Sequence, residues 1–183
     1  DSGRVCGVRL DDGTELRSSV VVAACDPQRV FVDWVGDAPP AAKRLVERWR
    51  ARPVQDGYES KIDGVLSALP RYHAGSSIEA NFPGLDTLGP TTVVSPSPDQ
   101  LLAAHEGRSN GQVAAQPTLL VNVPSVLDPA LVTAGGSHVL SLEVLYTPYA
   151  LVGGWPESSE PQRWLDMWAG MVEPGALESL PAW

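Results

Sequence analysis

The run Val20-Val21-Val22-Ala23-Ala24 places the tightest constraint on how this chain folds. Five consecutive apolar residues, three of them β-branched, show no alternation between apolar and polar positions. That is the pattern of a strand buried on both faces. Asp26-Pro27 ends it. Upstream, RVCGVRL and TELRSS flank Asp11-Asp12-Gly13, and an Asp-Gly pair favours the positive backbone angles of a tight hairpin turn. Residues 1–30 offer such a strand at most two neighbours. The expectation is a hairpin arm over residues 4–24 that belongs to a larger sheet. Without that sheet, the arm is expected to self-associate, to take an altered path or to be disordered.

The rest of the chain alternates between strand and helix patterns. Pro39-Pro40 opens a helix over 39–51 whose Ala42, Leu45, Val46 and Trp49 share one face. In residues 58–69, Ile62, Gly64, Leu66 and Ala68 fall on one side of a strand, and Lys61, Asp63, Val65 and Ser67 on the other. Residues 91–95 and 118–123 read as short apolar strands. His138, Leu140, Leu142, Val144 and Tyr146 share one face of a third. Ser97-Pro98-Asp99-Gln100 and Ser159-Glu160-Pro161-Gln162 are capping boxes, each opening a helix. The first of these helices is expected to end at Gly107. The second carries Trp164, Leu165, Trp168, Met171 and Val172 on its apolar side and is expected to end at Pro174-Gly175. Interleaved strands and helices with hairpin-like connections give an α+β fold: a mixed or antiparallel sheet with helices mainly on one face.

Composition excludes several classes. Of 183 residues, 43% are hydrophobic, enough for a sizeable core. The net charge is −9, and of 13 basic residues only Lys43 and Lys61 are lysines. Nucleic acid and anionic membrane are therefore poor partners. No apolar run reaches the length of a spanning helix. The opening DSGRVCGVRL has neither a leader pattern nor an initiator Met, so a processed or excised chain is expected. Cys6 and Cys25 lie in Val/Ala-rich segments and are expected to be buried free thiols, with the cytoplasm as the default compartment.

Motif chemistry is sparse. His73, His105 and His138 are widely spaced and support no zinc site. Ser125, His138 and Asp128 contain the letters of a hydrolase triad, but no strained elbow presents the serine. No glycine-rich phosphate loop is present.

The order of several segments resembles the flavin-dependent phytoene desaturase-like (phytoene dehydrogenase-related) oxidoreductases of the amine-oxidase-like flavoproteins. GRVCGVRLDDGTELRSSVVVAACDP (3–27) is similar to the hairpin and buried strand of that family's FAD domain. SKIDGVLSALP (60–70) resembles its lysine-bearing strand. PTLLVNVPSVLDPALVTAGGSHVLSLEVLYTPYAL (117–151) resembles its strand, Pro-Ser, Asp-Pro, Gly-x-His and Pro-Tyr series. VEPGALESLPAW (172–183) is similar to the start of its final connection back to the FAD domain. The match departs at Asp63 and Gly64, where family members are more apolar or amide-bearing. The family's dinucleotide fingerprint and its flavin-covering C-terminal segment are not in these 183 residues.

The resemblance implies residues 1–30 as a partial FAD-domain arm and 31–183 as a substrate-binding domain. The activity it implies is hydride transfer from an apolar substrate to FAD, a cofactor held by the full-length parent and not by this chain, which alone is expected to be inactive. It gives Lys61 a catalytic position, holding a water near the flavin. It places His138, Tyr146 and Tyr149 on the substrate side of the sheet. The implied partners are an apolar small molecule, the remaining FAD-domain segments and, through the hairpin, a second copy. The alternative is a free-standing module that binds a hydrophobic ligand or another protein and uses no flavin.

Overall fold

A computed structural model describes residues 3–35, 38–52 and 57–174. The chain divides into two compact units, Asp1–Gln55 and Asp56–Trp183.

In the first unit, β1 (Gly7–Arg9) pairs antiparallel with β2 (Glu15–Arg17), Val8 opposite Leu16. Five residues connect them, and the Leu10–Thr14 hydrogen bond encloses a loop of three, Asp11-Asp12-Gly13. Leu10 N–H donates to Thr14 O at 2.9 Å, Gly13 N–H returns to Leu10 O at 2.9 Å, and Asp12 Oδ1 accepts from Thr14 N–H at 2.8 Å. Only Gly13 takes a positive φ (+86°). The turn is thus a three-residue loop over Asp11-Asp12-Gly13 closed by a left-handed glycine, the positive backbone angle expected of the Asp-Gly pair.

The strand expected at residues 20–24 does not form. The segment is irregular, with Val20 at 72% and Val22 at 86% exposure. A strand is made by its neighbours' backbones, and the hairpin stops at Arg17 without extending a ladder to it. Cys6 and Cys25 are free but exposed, not buried, because among the described residues of this unit no second layer covers the hairpin or the run. A π-helical turn spans Arg29–Trp34, and α1 (Pro40–Arg50) follows. Val46 of α1 is buried, Phe31 stacks on Trp49 at 6.5 Å, and the Arg52 guanidinium lies 4.6 Å from the Trp49 ring centre.

The second unit is built on a four-stranded antiparallel sheet. The strands are β3 (Glu59–Leu66), β4 (Thr91–Val94), β5 (Leu119–Asn122) and β6 (His138–Leu145), in the order β3-β6-β5-β4. Ile62 lies opposite Leu142, and Val121 opposite Leu142 on the other side. One face carries Leu66, Leu119, Val121, Leu140, Leu142 and Val144, all buried. Trp164, Leu165 and Trp168 of α4 (Glu160–Ala169) pack on that face together with Val172. The opposite face carries Lys61, Asp63, Val65, Glu143 and Val93. The fold is α+β, and the period-2 and period-3.6 patterns of the sequence meet in one core.

Three helix details differ from expectation. α2 (Gly75–Asn81) has no apolar periodicity to announce it. α3 (Pro98–Ser109) forms its capping box through Ser97 and Gln100 but runs through Gly107 to Ser109. α4 lacks the box at Ser159, because Ser158 Oγ accepts the Glu160 N–H at 3.2 Å instead. It also ends at Ala169, so Met171 lies beyond the helix, where its carbonyl accepts from His73 N–H at 3.0 Å. Of the expected stop, Gly175 lies outside the described residues.

Candidate functional site

The site is a cleft at the end of the sheet where β3 begins and β6 ends. Its cavity, about 410 Å³, is lined by Gly57, Glu59, Ser60, Thr147, Pro148, Tyr149 and Trp155. That size suits a small organic molecule. A second cavity, between Leu69, Tyr72 and Val126, measures about 10 Å³ and has room for one water at most.

Local chemistry explains the cleft. β6 pairs regularly up to Glu59–Leu145, but Thr147 N–H then donates to Tyr58 O at 3.1 Å, one residue out of register. Tyr146 is the extra residue of a β-bulge. It sits at φ +61°, the one non-glycine residue with positive φ among the described residues. A bulge re-aims side chains, and a left-handed tyrosine is a strained residue held by its surroundings. Those surroundings are aromatic. The Tyr58 ring meets Tyr146 edge-on at 5.1 Å, and His105 of α3 meets it at 6.0 Å.

Hydrogen bonding to Tyr146, helped by burial, raises the Tyr58 phenol above its ordinary pKa. Arg108 donates to Gly57 O at 2.6 Å, and its guanidinium lies 6.0 Å from the Tyr58 ring. Gly57 has φ +68°, and a Cβ there would stand 2.6 Å from the Tyr149 amide nitrogen. Glycine is required at that position. Trp155 Nε1 donates to Pro148 O at 3.2 Å and Tyr149 O at 3.0 Å, which fixes the far wall. At the floor, Ser60 Oγ donates to the buried Thr147 Oγ1 at 2.9 Å.

The four residues singled out in the sequence separate into three places. Tyr149, 71% exposed, lines the cleft, whereas Tyr146 is not among the lining residues and packs against Tyr58 and His105 beside it. Lys61 lies on the opposite face of the sheet from α4, its Nζ 3.0 Å from Asp63 Oδ1. His138 lies at the other end of β6, about 26 Å along the strand from Tyr146. There His138 Nδ1 is 3.0 Å from Ser125 Oγ, which also accepts from Val139 N–H at 3.3 Å. Asp128 is engaged elsewhere, accepting from Ala130 N–H. With Ser125 buried and no acid behind His138, this pair pins a turn to a strand and presents no nucleophile. Gly57, Tyr58, His105, Arg108 and Trp155 were not legible as site residues, because only tertiary contacts bring them together.

The chain is similar to pyridine nucleotide-disulfide oxidoreductase domain-containing protein 2. Identity with the Mus musculus protein is 34% over 169 residues, covering 86% of this chain and 27% of that protein. With the Rattus norvegicus protein it is 32% over 167 residues, again 86% and 27%. The chain thus spans about a quarter of the length of these curated relatives. No family model matches the chain. No solved structure matches it either. At the level of oxidoreductase, the relatives' names agree with the resemblance read from the sequence.

The described residues do not fit an FAD diphosphate. That group needs free N–H donors at the start of a helix that follows a glycine-rich turn. Among the described residues no Gly-x-Gly turn precedes a helix: α1 follows Pro39, α3 follows Ser97, whose hydroxyl already accepts the Gln100 N–H, and α2 has only seven residues. The first turn of α4 holds Glu160, which is paired with Arg163 at 2.6 Å. Among the described residues, no group of three or more acidic, His or Cys side chains could hold a metal ion. No described helix is long and apolar enough to cross a membrane.

Proposed function

We propose that these residues form the substrate-binding portion of a flavin-dependent oxidoreductase that takes hydride from an apolar substrate. The observation that carries the reading is the 34% identity, over 86% of the chain, to a protein named as an oxidoreductase that is far longer than this chain. The cleft supports it: aromatic and proline walls suit an apolar body, and Glu59, Ser60 and Thr147 offer a few polar contacts to orient it. The exposed run at residues 20–24 supports it too, since three valines in solvent are a surface that a further layer of protein would cover. In this reading the chain's residues bind and orient substrate and exclude water. Lys61 holds a polar group on the outer sheet face, and FAD is bound by other parts of the longer protein.

The test uses the full-length reading frame that contains these residues. It is expected to purify yellow, with flavin that is bleached anaerobically by an apolar substrate. Lys61→Met should slow that bleaching, while Tyr149→Ala should weaken substrate binding. A full-length protein that carries no flavin overturns the reading in favour of a free-standing ligand-binding module.

A further inference from the structure

Beyond that function, we infer that the outer edge of β3 is a self-pairing interface, joining two copies of the chain into one continuous eight-stranded sheet. Leu145 N–H donates to the carbonyl of Thr118, the residue just before β5, at 3.0 Å. Along a strand, successive residues direct their N–H and C=O to opposite sides. Residues 139, 141, 143 and 145 of β6 therefore face β5, and 138, 140, 142 and 144 face β3. Their partners Ser60, Ile62, Gly64 and Leu66 face inward. The N–H and C=O groups of Glu59, Lys61, Asp63 and Val65 face the outer edge, where β3 has no neighbouring strand among the described residues. The edge is eight residues long, carries no proline and has no bulge within its ladder, so the charges of Glu59, Lys61 and Asp63 are what a pairing strand must satisfy.

Charge then selects the partner and the register. In an antiparallel pair, hydrogen-bonded positions must both be outward-facing. Pairing Lys61 with Lys61 of a second copy sets like charges opposite each other, as does Asp63 with Asp63. Pairing Lys61 with Asp63 of the second copy satisfies both, because the two-fold axis then passes beside Ile62 and repeats the contact. This register also sets Glu59 opposite Val65 and engages the whole edge. It forms about eight backbone hydrogen bonds, two for each of four facing pairs. Lys61 and Asp63 are already 3.0 Å apart on one face, with side chains 52% and 63% exposed. In the pair they become an alternating square of four charges. Perpendicular two-fold symmetry keeps α4 of both copies on the same side of the joined sheet, so neither core is opened.

The experiment is sedimentation equilibrium on the 183-residue chain across micromolar concentrations. The expected result is a dimer. K61D and D63K should each weaken it at least about tenfold, because each places like charges opposite each other. An equimolar mixture of the two should dimerise again, since every facing pair is then opposite in sign. The double variant K61D/D63K should dimerise alone. Val65→Pro, which removes only an outward N–H, should give a monomer with an unchanged circular dichroism spectrum. A monomeric wild-type chain overturns the proposal. So does a dimer indifferent to these charges, which assigns association to another surface such as the N-terminal hairpin. Failure of the mixed variants to associate overturns it as well.

Discussion

Residues 3–35 and 57–174 contain apolar segments of similar strength, yet only the second region buries them. Val20-Val21-Val22 is as β-prone as Leu140 to Val144, but Val22 is 86% exposed while Leu142 is 0% exposed. The difference is layering. β6 has a strand on each side and α4 across one face, whereas the run at 20–24 has neither ladder nor cover. Apolar sequence supplies the reason to bury a segment, and a second layer supplies the means.

Truncation should separate the regions most sharply. Trp168→Ala, at 0% exposure in the core, is expected to cost about 3–5 kcal/mol in denaturant unfolding. Val22→Ala should stay within about 0.5 kcal/mol. Equal losses would show that the N-terminal run is buried in solution and would dissolve the contrast.

Glycines offer a second test. Gly57 and Gly13 both have positive φ, but a Cβ at Gly57 meets the Tyr149 backbone at 2.6 Å and one at Gly13 meets nothing within 4 Å. Gly57→Ala should therefore cost about 3 kcal/mol, strain and collision together. Gly13→Ala should cost about 1 kcal/mol, from the left-handed backbone alone. Similar values at the two sites would mean that the cleft wall gives way, and that its geometry is not fixed by the Gly57–Tyr149 contact.

Caps give a smaller difference, within the second region. Ser97→Ala removes a capping hydroxyl and should cost about 1 kcal/mol, whereas Ser159→Ala should be nearly silent. Thermal melts of the two variants check this, and a large loss at Ser159 would restore the capping box that the sequence suggested.

The two caps show where legibility ends. Periodicity in the sequence located β3, β6, α1 and the buried face of α4, because amphipathic spacing is a local signal of a global layer. The same four-letter signature at 97 and 159 capped one helix and not the other. At 159 the choice fell to the neighbouring Ser158 hydroxyl. α2 escaped notice because GSSIEAN offers two apolar residues, Ile78 and Ala80, which make no helical repeat. The bulge at Tyr146 had no signal at all, since tyrosine is not a residue that announces positive φ. Yet that bulge positions the cleft, so the candidate site was less legible than the fold: Tyr146 and Tyr149 were named, and the residues that hold them were not.

The smallest expected effect returns to the exposed hairpin, where electrostatics acts without a core. Glu15 accepts from Arg9 at 2.9 Å and from Arg17 at 2.8 Å. The hydrogen bond from Arg9, then the Arg17 charge, lower its carboxyl below the ordinary glutamate value. A lowered folded pKa means that the contribution is present above the unfolded carboxylate pKa and is lost as pH falls through the folded one. Both arginines are exposed, so water and salt screen the contacts and the hairpin gains little. The effect should appear in an NMR titration of the Glu15 side chain, with a midpoint below that of an ordinary glutamate. Arg9→Ala should move that midpoint upward, and added salt should do the same. Neither change should shift the unfolding of the region built on β3–β6, which belongs to the other compact unit. A Glu15 midpoint at the ordinary value would show that the arginines do not hold the carboxylate in solution. The hairpin would then be left with its backbone ladder and its glycine turn alone.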